Sequence, residues 1–151
     1  MAEAGGHPDL PSHLTVPDGF VPTNSRGKFT NHNGPIFMAA AADDLRSGFF
    51  VLDRHCNGMG FLHGGMMSAF ADRSLAVAVW AASRRMSVTL KLTLHYYETV
   101  RLGDWVEAHP SVQSVGDGIV QVAADMRVNG AKLAARADAT FKLLRRTQKE
   151  G

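Results

Sequence analysis

The 151-residue sequence lacks most of the features that mark secreted, metal-binding or membrane-spanning proteins. A single cysteine, Cys56, excludes an internal disulfide and fits a reducing compartment. No apolar run is long enough to cross a bilayer, and no basic segment followed by an apolar one opens the chain. The seven histidines show no metal-ligand spacing, so no zinc or other metal site is predicted. We therefore expect a cytoplasmic protein with no membrane partner.

The sequence also lacks a large excess of charge of either sign. The formal net charge is only +2, which is too mild to indicate a nucleic-acid partner but is compatible with an anionic small ligand. The apolar fraction of 45% and the charged fraction of 20% are typical of a globular domain. At this length we expect one domain with a substantial core.

Proline is nearly absent after residue 35. Five of the six prolines lie within 1–35, where the pattern has little periodicity, and we predict an irregular N-terminal arm there. The domain proper is predicted over 36–145, and a polar C-terminal tail over 146–151.

The remaining pattern alternates between strand and helix periodicities. Two short strands are expected at 36–40 and 49–53, followed by an alanine-rich helix from Gly64 to about residue 82 that is apolar on nearly every face. Turn residues then separate four strand candidates, at 88–97, 105–115, 119–128 and 132–144. An α+β fold, with a curved antiparallel sheet wrapped around one long central helix, is the economical solution.

The segment from Asn57 to Asp72 carries the chemistry. Gly64 and Gly65 begin the helix and leave backbone N–H groups uncovered, so that an electron-rich oxygen can approach them. Asp72 lies two turns further on, in a run otherwise suited to a core. An oxyanion site and an acid–base group are the two parts that acyl transfer requires.

The spacing Asn57-x5-His63-Gly64-Gly65-x6-Asp72 resembles the signature of hotdog-fold acyl-CoA thioesterases of the phenylacetate-degradation (PaaI-like) branch. The Leu102-Gly103-Asp104 turn extends the resemblance, which covers about residues 35 to 144. It implies hydrolysis of a coenzyme A thioester without a metal or bound cofactor, in a homodimer that often pairs into a tetramer.

The resemblance also implies roles for individual residues. The Gly64 N–H would polarise the thioester carbonyl, and Asp72 would act as general base or as nucleophile. Asn57 would orient water or the carbonyl, and His63 would tighten the loop or contact the thioester. Thr89 matches a residue that helps to hold the water. Strand alternation predicts that Leu90 and Leu92 face the helix and that Thr89 faces away, so a bulge or a site at the sheet edge would be needed for that role.

Residues beside this motif are candidates for contacts with the substrate. Gly65, Phe61 and Met66 are expected to contact the substrate, and Met66 could line an acyl pocket together with Met67 and Phe70. Arg101 is one of several arginines that could meet coenzyme A phosphates, the others being Arg84, Arg85, Arg145 and Arg146.

Helix geometry alone predicts a dimer if both groups serve one reaction. Gly64 and Asp72 are eight residues apart, about 12 Å along a helix that rises about 1.5 Å per residue. One aspartate side chain cannot close that gap. The two groups must then come from different subunits related by a two-fold axis, with two sites at the interface.

Several alternatives remain open. The glycines could serve only helix–sheet packing. Asp72 beside Arg73 could be a structural ion pair, but adjacent helical residues do not face each other, so at least one of them must have a different partner. Cys56 beside His55 is interpreted as an inert, half-buried thiol rather than a nucleophile. Two other functions compete with hydrolysis: an acyl-thioester hydratase or dehydratase using His63 with Asp72, and a non-catalytic acyl-CoA-binding module.

Overall fold

The computed structural model describes residues 7–146 and has the predicted architecture: an antiparallel sheet around one long helix. Before the central helix lie β1 (Phe20–Pro22), α1 (Lys28–Asn33), β2 (Phe37–Ala39), β3 (Ser47–Phe50) and a 3₁₀ turn (Asp53–His55). The central helix is α2 (Gly64–Ser83), and it is followed by β4 (Ser87–Tyr96), β5 (Trp105–Val115), β6 (Ile119–Val128) and β7 (Lys132–Leu143). None of the described helices combines the length and hydropathy needed to span a membrane.

The seven strands form one sheet in the order β1-β2-β3-β5-β6-β7-β4. The two edges differ in character. β1 has three residues and ends in Pro22, whereas β4 has ten residues and, within 7–146, pairs only with β7. One long strand edge is therefore left open beside the helix.

Helix α2 buries one face against the sheet. Its buried side chains recur at helical spacing and include Met67, Phe70 and Leu75, each no more than 1% exposed. The opposite face, which includes Asp72, Arg73 and Ala76, is half-buried within a single chain. The helix was predicted to be surrounded by protein on nearly every side, but the described residues of one chain cover only part of it.

The N-terminal segment takes part in the sheet and the core more than its composition suggested. Within 1–35, predicted to be irregular, the described residues include β1, which pairs with β2, and α1. Leu10 packs into a second apolar cluster on the outer face of the sheet with Phe37, Phe50 and Trp105. These contacts depend on tertiary packing rather than on local periodicity.

Strand β3 begins earlier than predicted. The expected strand at 49–53 is observed at Ser47–Phe50, so Gly48, which lay in the predicted connection between the two strands, is part of the sheet. The indole of Trp105 lies across Gly48 and occupies the space that a Cβ would need. The glycine therefore marks a close approach of a ring to the backbone rather than a turn.

Candidate active site

The loop before α2 is organised by Asn57. Its Oδ1 accepts hydrogen bonds from the backbone N–H groups of Met59 (2.9 Å) and Phe61 (3.2 Å). Its own backbone N–H donates to the Phe61 carbonyl at 2.8 Å. This is an Asx-type turn, which uses the side-chain oxygen in place of a backbone acceptor. In one chain, Asn57 shapes the loop that leads to His63.

His63 is the N-cap of α2. Its Nδ1 accepts the Gly65 N–H at 2.8 Å, and its carbonyl accepts the N–H groups of Met66 and Met67. The Gly64 N–H has no acceptor among residues 7–146. Of the two glycines, Gly64 therefore offers the donor that remains available, at the positive end of a 20-residue helix.

Asp72 is held by Thr89. The Thr89 hydroxyl donates to Asp72 Oδ1 at 2.6 Å, joining α2 to the edge strand β4. The prediction that Thr89 faces away from the helix is wrong. The register of β4 on β7 shifts between Thr89 and Lys91, and this bulge turns Leu90 outward, where it is 56% exposed. Leu92 packs against the core as expected.

The Asp72–Arg73 pair is not an ion pair. Asp72 accepts from Thr89, whereas Arg73 Nη1 donates to Ser47 Oγ at 2.8 Å on strand β3. Adjacent helical residues point in different directions, so each has a separate environment.

Tyr96 is a further site residue that the sequence did not single out. Its hydroxyl donates to the Gly64 carbonyl at 2.8 Å and lies 2.8 Å from Ser68 Oγ. Its ring lies in contact range of Gly64, because a Cβ there would meet the Tyr96 hydroxyl at 3.5 Å. The available indication was its place on the helix-facing side of β4, in alternation with Leu92 and Leu94.

Of the predicted substrate contacts, Phe61, Arg101 and Gly65 are accessible at the surface of one chain, whereas Met66 is buried. Phe61 and Arg101 come together through an isolated β-bridge, with the guanidinium 5.3 Å from the centre of the ring. Gly65 is exposed beside His63. Met66 is only 8% exposed and belongs to the main core, so in one chain it supports the site from beneath.

The structure does not bring all of the predicted groups to one point within a chain. Asn57, His63 and Gly64 lie at the N-terminal end of α2, and Asp72 with Thr89 lies two turns further along. Each chain thus presents the amide donor and the carboxylate at two separate places. Among residues 7–146, no group of three or more His, Cys, Asp or Glu side chains could hold a metal ion.

His55 supports the loop from below. Its Nδ1 accepts the Leu52 N–H at 3.1 Å and its Nε2 lies 2.8 Å from the Asn33 carbonyl, while its own carbonyl accepts the His63 N–H. This pattern requires the neutral imidazole with its proton on Nε2. Cys56 is half-buried as expected, and because the His55 ring is engaged elsewhere, no Cys–His dyad forms.

The neutral state of His55 predicts weaker folding at acid pH. Burial lowers the pKa of His55 below its ordinary value of 6.5. The unfolded chain then binds a proton at this residue more readily than the folded chain. The contribution of neutral His55 to stability is therefore fully present above about pH 6.5 and is lost as the pH falls through that value toward the pKa in the folded state. We expect the urea concentration at the unfolding midpoint to be lower at pH 5 than at pH 7. Each tenfold decrease in the proton affinity of His55 on folding lowers the free energy of unfolding at acid pH by at most about 1.4 kcal/mol.

His55→Gln is the matched variant for this pH effect, because an amide can still accept from Leu52 and donate to Asn33. Its urea midpoint should vary less between pH 7 and pH 5 than that of the unchanged chain. An identical pH dependence in both proteins would assign the acid sensitivity to other groups.

Comparison with known proteins places this geometry in a family. A profile of the thioesterase superfamily matches residues 59–135, which include α2, Thr89 and the part of the loop that follows Asn57 and Gly58. The chain belongs to the thioesterase superfamily. It is 33% identical over 134 residues to a Pseudomonas aeruginosa protein named "Putative esterase PA0474", an alignment that spans 86% of this chain and 98% of that protein.

Solved structures show the same fold for this member of the thioesterase superfamily. The Escherichia coli PaaI protein from the phenylacetic acid degradation operon superimposes with a TM-score of 0.63 at 19% identity, covering 66% of this chain and 72% of that one. Protein smu.793 of Streptococcus mutans, solved bound to acetyl CoA, gives a TM-score of 0.62 at 22% identity, with coverages of 66% and 79%.

Proposed function

We propose that this thioesterase-superfamily protein is an acyl-CoA thioesterase of the PaaI-like branch, which hydrolyses a coenzyme A thioester to a free acid and coenzyme A. The observation that carries the proposal is the Gly64 N–H, which lacks an acceptor in residues 7–146 and begins a long helix. A donor aimed at a developing oxyanion in this position is a major source of rate enhancement in acyl transfer.

Asp72 supplies the second element. As general base it takes a proton from water, the resulting hydroxide adds to the carbonyl carbon, the C–S bond breaks, and the proton passes to the leaving sulfur. As nucleophile, its carboxylate attacks the same carbon, the thiolate leaves, and water hydrolyses the mixed anhydride. In both routes the Thr89 hydroxyl fixes the orientation of the carboxylate. The Gly64 amide polarises the carbonyl, so the proposed reaction needs no metal or bound cofactor.

The proposed site is shared between two subunits. Gly64 and Asp72 lie about 12 Å apart along one helix, by the rise of about 1.5 Å per residue. The side of α2 that carries Asp72 contacts the open edge strand β4 through Thr89, and together they suit a second copy of the chain. Arg73 is directed instead toward β3, where it donates to Ser47. Asp72 of one copy would then act beside Gly64 of the other. Pairing of such dimers into a tetramer is the larger assembly that we propose.

Relatives support coenzyme A as part of the substrate. The structural neighbour from Streptococcus mutans was solved with acetyl CoA, and Arg101 is an exposed cation beside the site loop. We therefore propose that the phosphates of coenzyme A lie near Arg101. The single cysteine fits a reducing compartment, and we propose that the enzyme acts in the cytoplasm.

The geometry favours hydrolysis over hydration of a double bond. A hydratase that used His63 as its base would need a ring nitrogen with a free lone pair to take a proton from water. His63 Nδ1 accepts the Gly65 N–H instead, and in this tautomer the proton lies on Nε2, so neither nitrogen is available as a base. A module that only binds acyl-CoA would give no turnover.

Thiol release from a panel of aryl and aliphatic acyl-CoAs tests the function directly. We expect multiple turnovers with at least one panel member, detected by a thiol reagent. An enoyl-CoA should keep its conjugated double bond. Binding of acyl-CoA without thiol release would contradict the proposal.

Mixing two inactive subunits tests the shared site. We expect Asp72→Asn and Gly64→Pro chains, each inactive alone, to recover about a quarter of normal activity when unfolded and refolded together, because half of the random dimers are mixed and each mixed dimer has one intact site. Each variant refolded alone is the control. Absence of recovery, with mixed dimers demonstrated by differential tagging, would place both groups of a site in one chain.

A further inference from the structure

An open cavity of about 610 Å³ runs beside α2, beginning at Arg73, the residue after Asp72. The helix contributes Arg73, Ala76, Val77 and Trp80 to its wall. The β1–β2 pair lines one side and the start of β4 lines the other. Much of the wall is apolar, and Trp80, which forms part of it, is 45% exposed. The cavity is large enough for a short acyl group.

Arg73 is the unusual member of this wall. It is half-buried, and its one side-chain hydrogen bond in the described structure is to Ser47 Oγ, a neutral and fully buried hydroxyl. No carboxylate of residues 7–146 forms an ion pair with it. Burial lowers the pKa of Arg73, although an arginine stays protonated in proteins. Burying a guanidinium without a counter-ion costs free energy, and a bound anion would offset that cost.

The rest of the cavity has the same sign of charge. Arg85 is the second cation on the wall, and its guanidinium donates to the Leu144 carbonyl at 2.7 Å. Aspartate and glutamate are both missing from the described residues that line the cavity. An anionic ligand is therefore favoured over a neutral or cationic one.

The position of Arg73 relates the cavity to the reaction. Asp72 and Ala76 lie one turn apart on the same face of α2, and Ala76 lines the cavity. An acyl group with its carbonyl carbon at Asp72 can extend along the helix into this space. Its far end would then reach the guanidinium that Ser47 holds in place.

We propose that Arg73 is a specificity-determining residue that selects acyl groups ending in a carboxylate, such as those of short dicarboxylic acids. This inference rests on the proposed thioesterase function and names its substrate class. The carboxylate completes the ion pair that the protein leaves open, and the apolar wall near Trp80 and Val77 contacts the methylene chain.

A paired-substrate assay on the full-length chain tests the proposal. Glutaryl-CoA and pentanoyl-CoA have five acyl carbons each and differ at the far end. We expect kcat/KM to favour glutaryl-CoA, and Arg73→Met to lower the glutaryl-to-pentanoyl ratio by roughly a hundredfold, since a charged partner is lost from a desolvated site. Arg73→Lys should retain part of the ratio. Lys142→Met, which removes an exposed cation from β7, is the charge-matched control and should keep it.

An unchanged ratio in Arg73→Met, or no preference for glutaryl-CoA in the unchanged chain, would overturn the proposal. Glutaryl and pentanoyl thioesters of N-acetylcysteamine, which lack the coenzyme A phosphates, distinguish the two possible anions. A ratio that depends on Arg73 with these thioesters assigns the acyl carboxylate. If Arg73→Met instead raises KM equally for every CoA thioester and has no effect on the N-acetylcysteamine thioesters, Arg73 binds the coenzyme A phosphates, which contradicts the proposal.

A binding measurement separates this proposal from the proposed function. Calorimetry with a non-hydrolysable thioether analogue of glutaryl-CoA needs no turnover. Binding that Arg73→Met weakens relative to the pentanoyl analogue supports the carboxylate site even if no thioester is hydrolysed. Equal binding of both analogues refutes it, and so does a variant whose only defect is a weaker dimer.

Discussion

Asp72→Asn is expected to lower kcat for acyl-CoA hydrolysis by roughly a thousandfold, within the range found for loss of a general base or nucleophile. Asparagine has nearly the same shape, and its Oδ1 can still accept the Thr89 hydroxyl now bonded to Asp72. The change therefore removes the charge and the basicity and preserves the link between α2 and β4. Steady-state thiol release over a range of substrate concentrations would show the loss in kcat, with KM little changed.

The control for Asp72→Asn is the conformational state of the variant. We expect its thermal midpoint and its oligomer mass to match those of the unchanged chain, because Asp72 is half-buried and contacts no cation that would be left unpaired. Retained hydrolysis of several acyl-CoAs by a folded variant would remove Asp72 from the mechanism.

Gly64→Pro is the second large expected effect, a fall in kcat of about 10²- to 10³-fold from loss of one oxyanion donor. Gly64 is the first residue of α2 after the N-cap His63, a position at which proline is favoured since its missing N–H has no helical partner. His63 has φ −65° and ψ 134°, the extended conformation that a residue before proline adopts. The substitution removes the one N–H at issue while the helix can still form.

Gly64→Ala is the matched variant. It keeps the N–H, and its Cβ would lie 3.5 Å from the Tyr96 hydroxyl, an ordinary contact. We expect it to retain most of the activity that Gly64→Pro loses, with equal helix content by circular dichroism. Equal losses in both variants would indicate that crowding, rather than the amide, controls turnover.

The sequence predicted those parts of the fold that depend on regular periodicity. The four long strands and the central helix follow from alternation, turn dipeptides and an alanine-rich run, and the structure confirms them. The glycines at the start of α2 were placed correctly because the residues that begin a helix can be recognised from the local sequence. The catalytic roles of Asp72 and Gly64 remain predictions, for which the variants above are the test.

Other features had no periodic pattern to reveal them. The bulge at Leu90 adds one residue to β4, and strict alternation therefore placed Thr89 on the wrong face. The Tyr96 hydroxyl reaches the Gly64 carbonyl from a strand 32 residues away in sequence, a contact that only the tertiary fold creates. The same is true of Leu10, which is buried by Trp105 and Phe37 rather than by any local pattern.

The unequal edges of the sheet bear on how large an assembly can grow. β1 is short and ends in Pro22, whose missing N–H makes it a poor template for another strand, whereas β4 offers ten residues. Hydrogen bonding from strand to strand can thus proceed in one direction only. In the proposed dimer, two seven-stranded sheets joined along β4 would leave only the two short β1 edges free, and the sheet would stop at fourteen strands instead of propagating into a fibril.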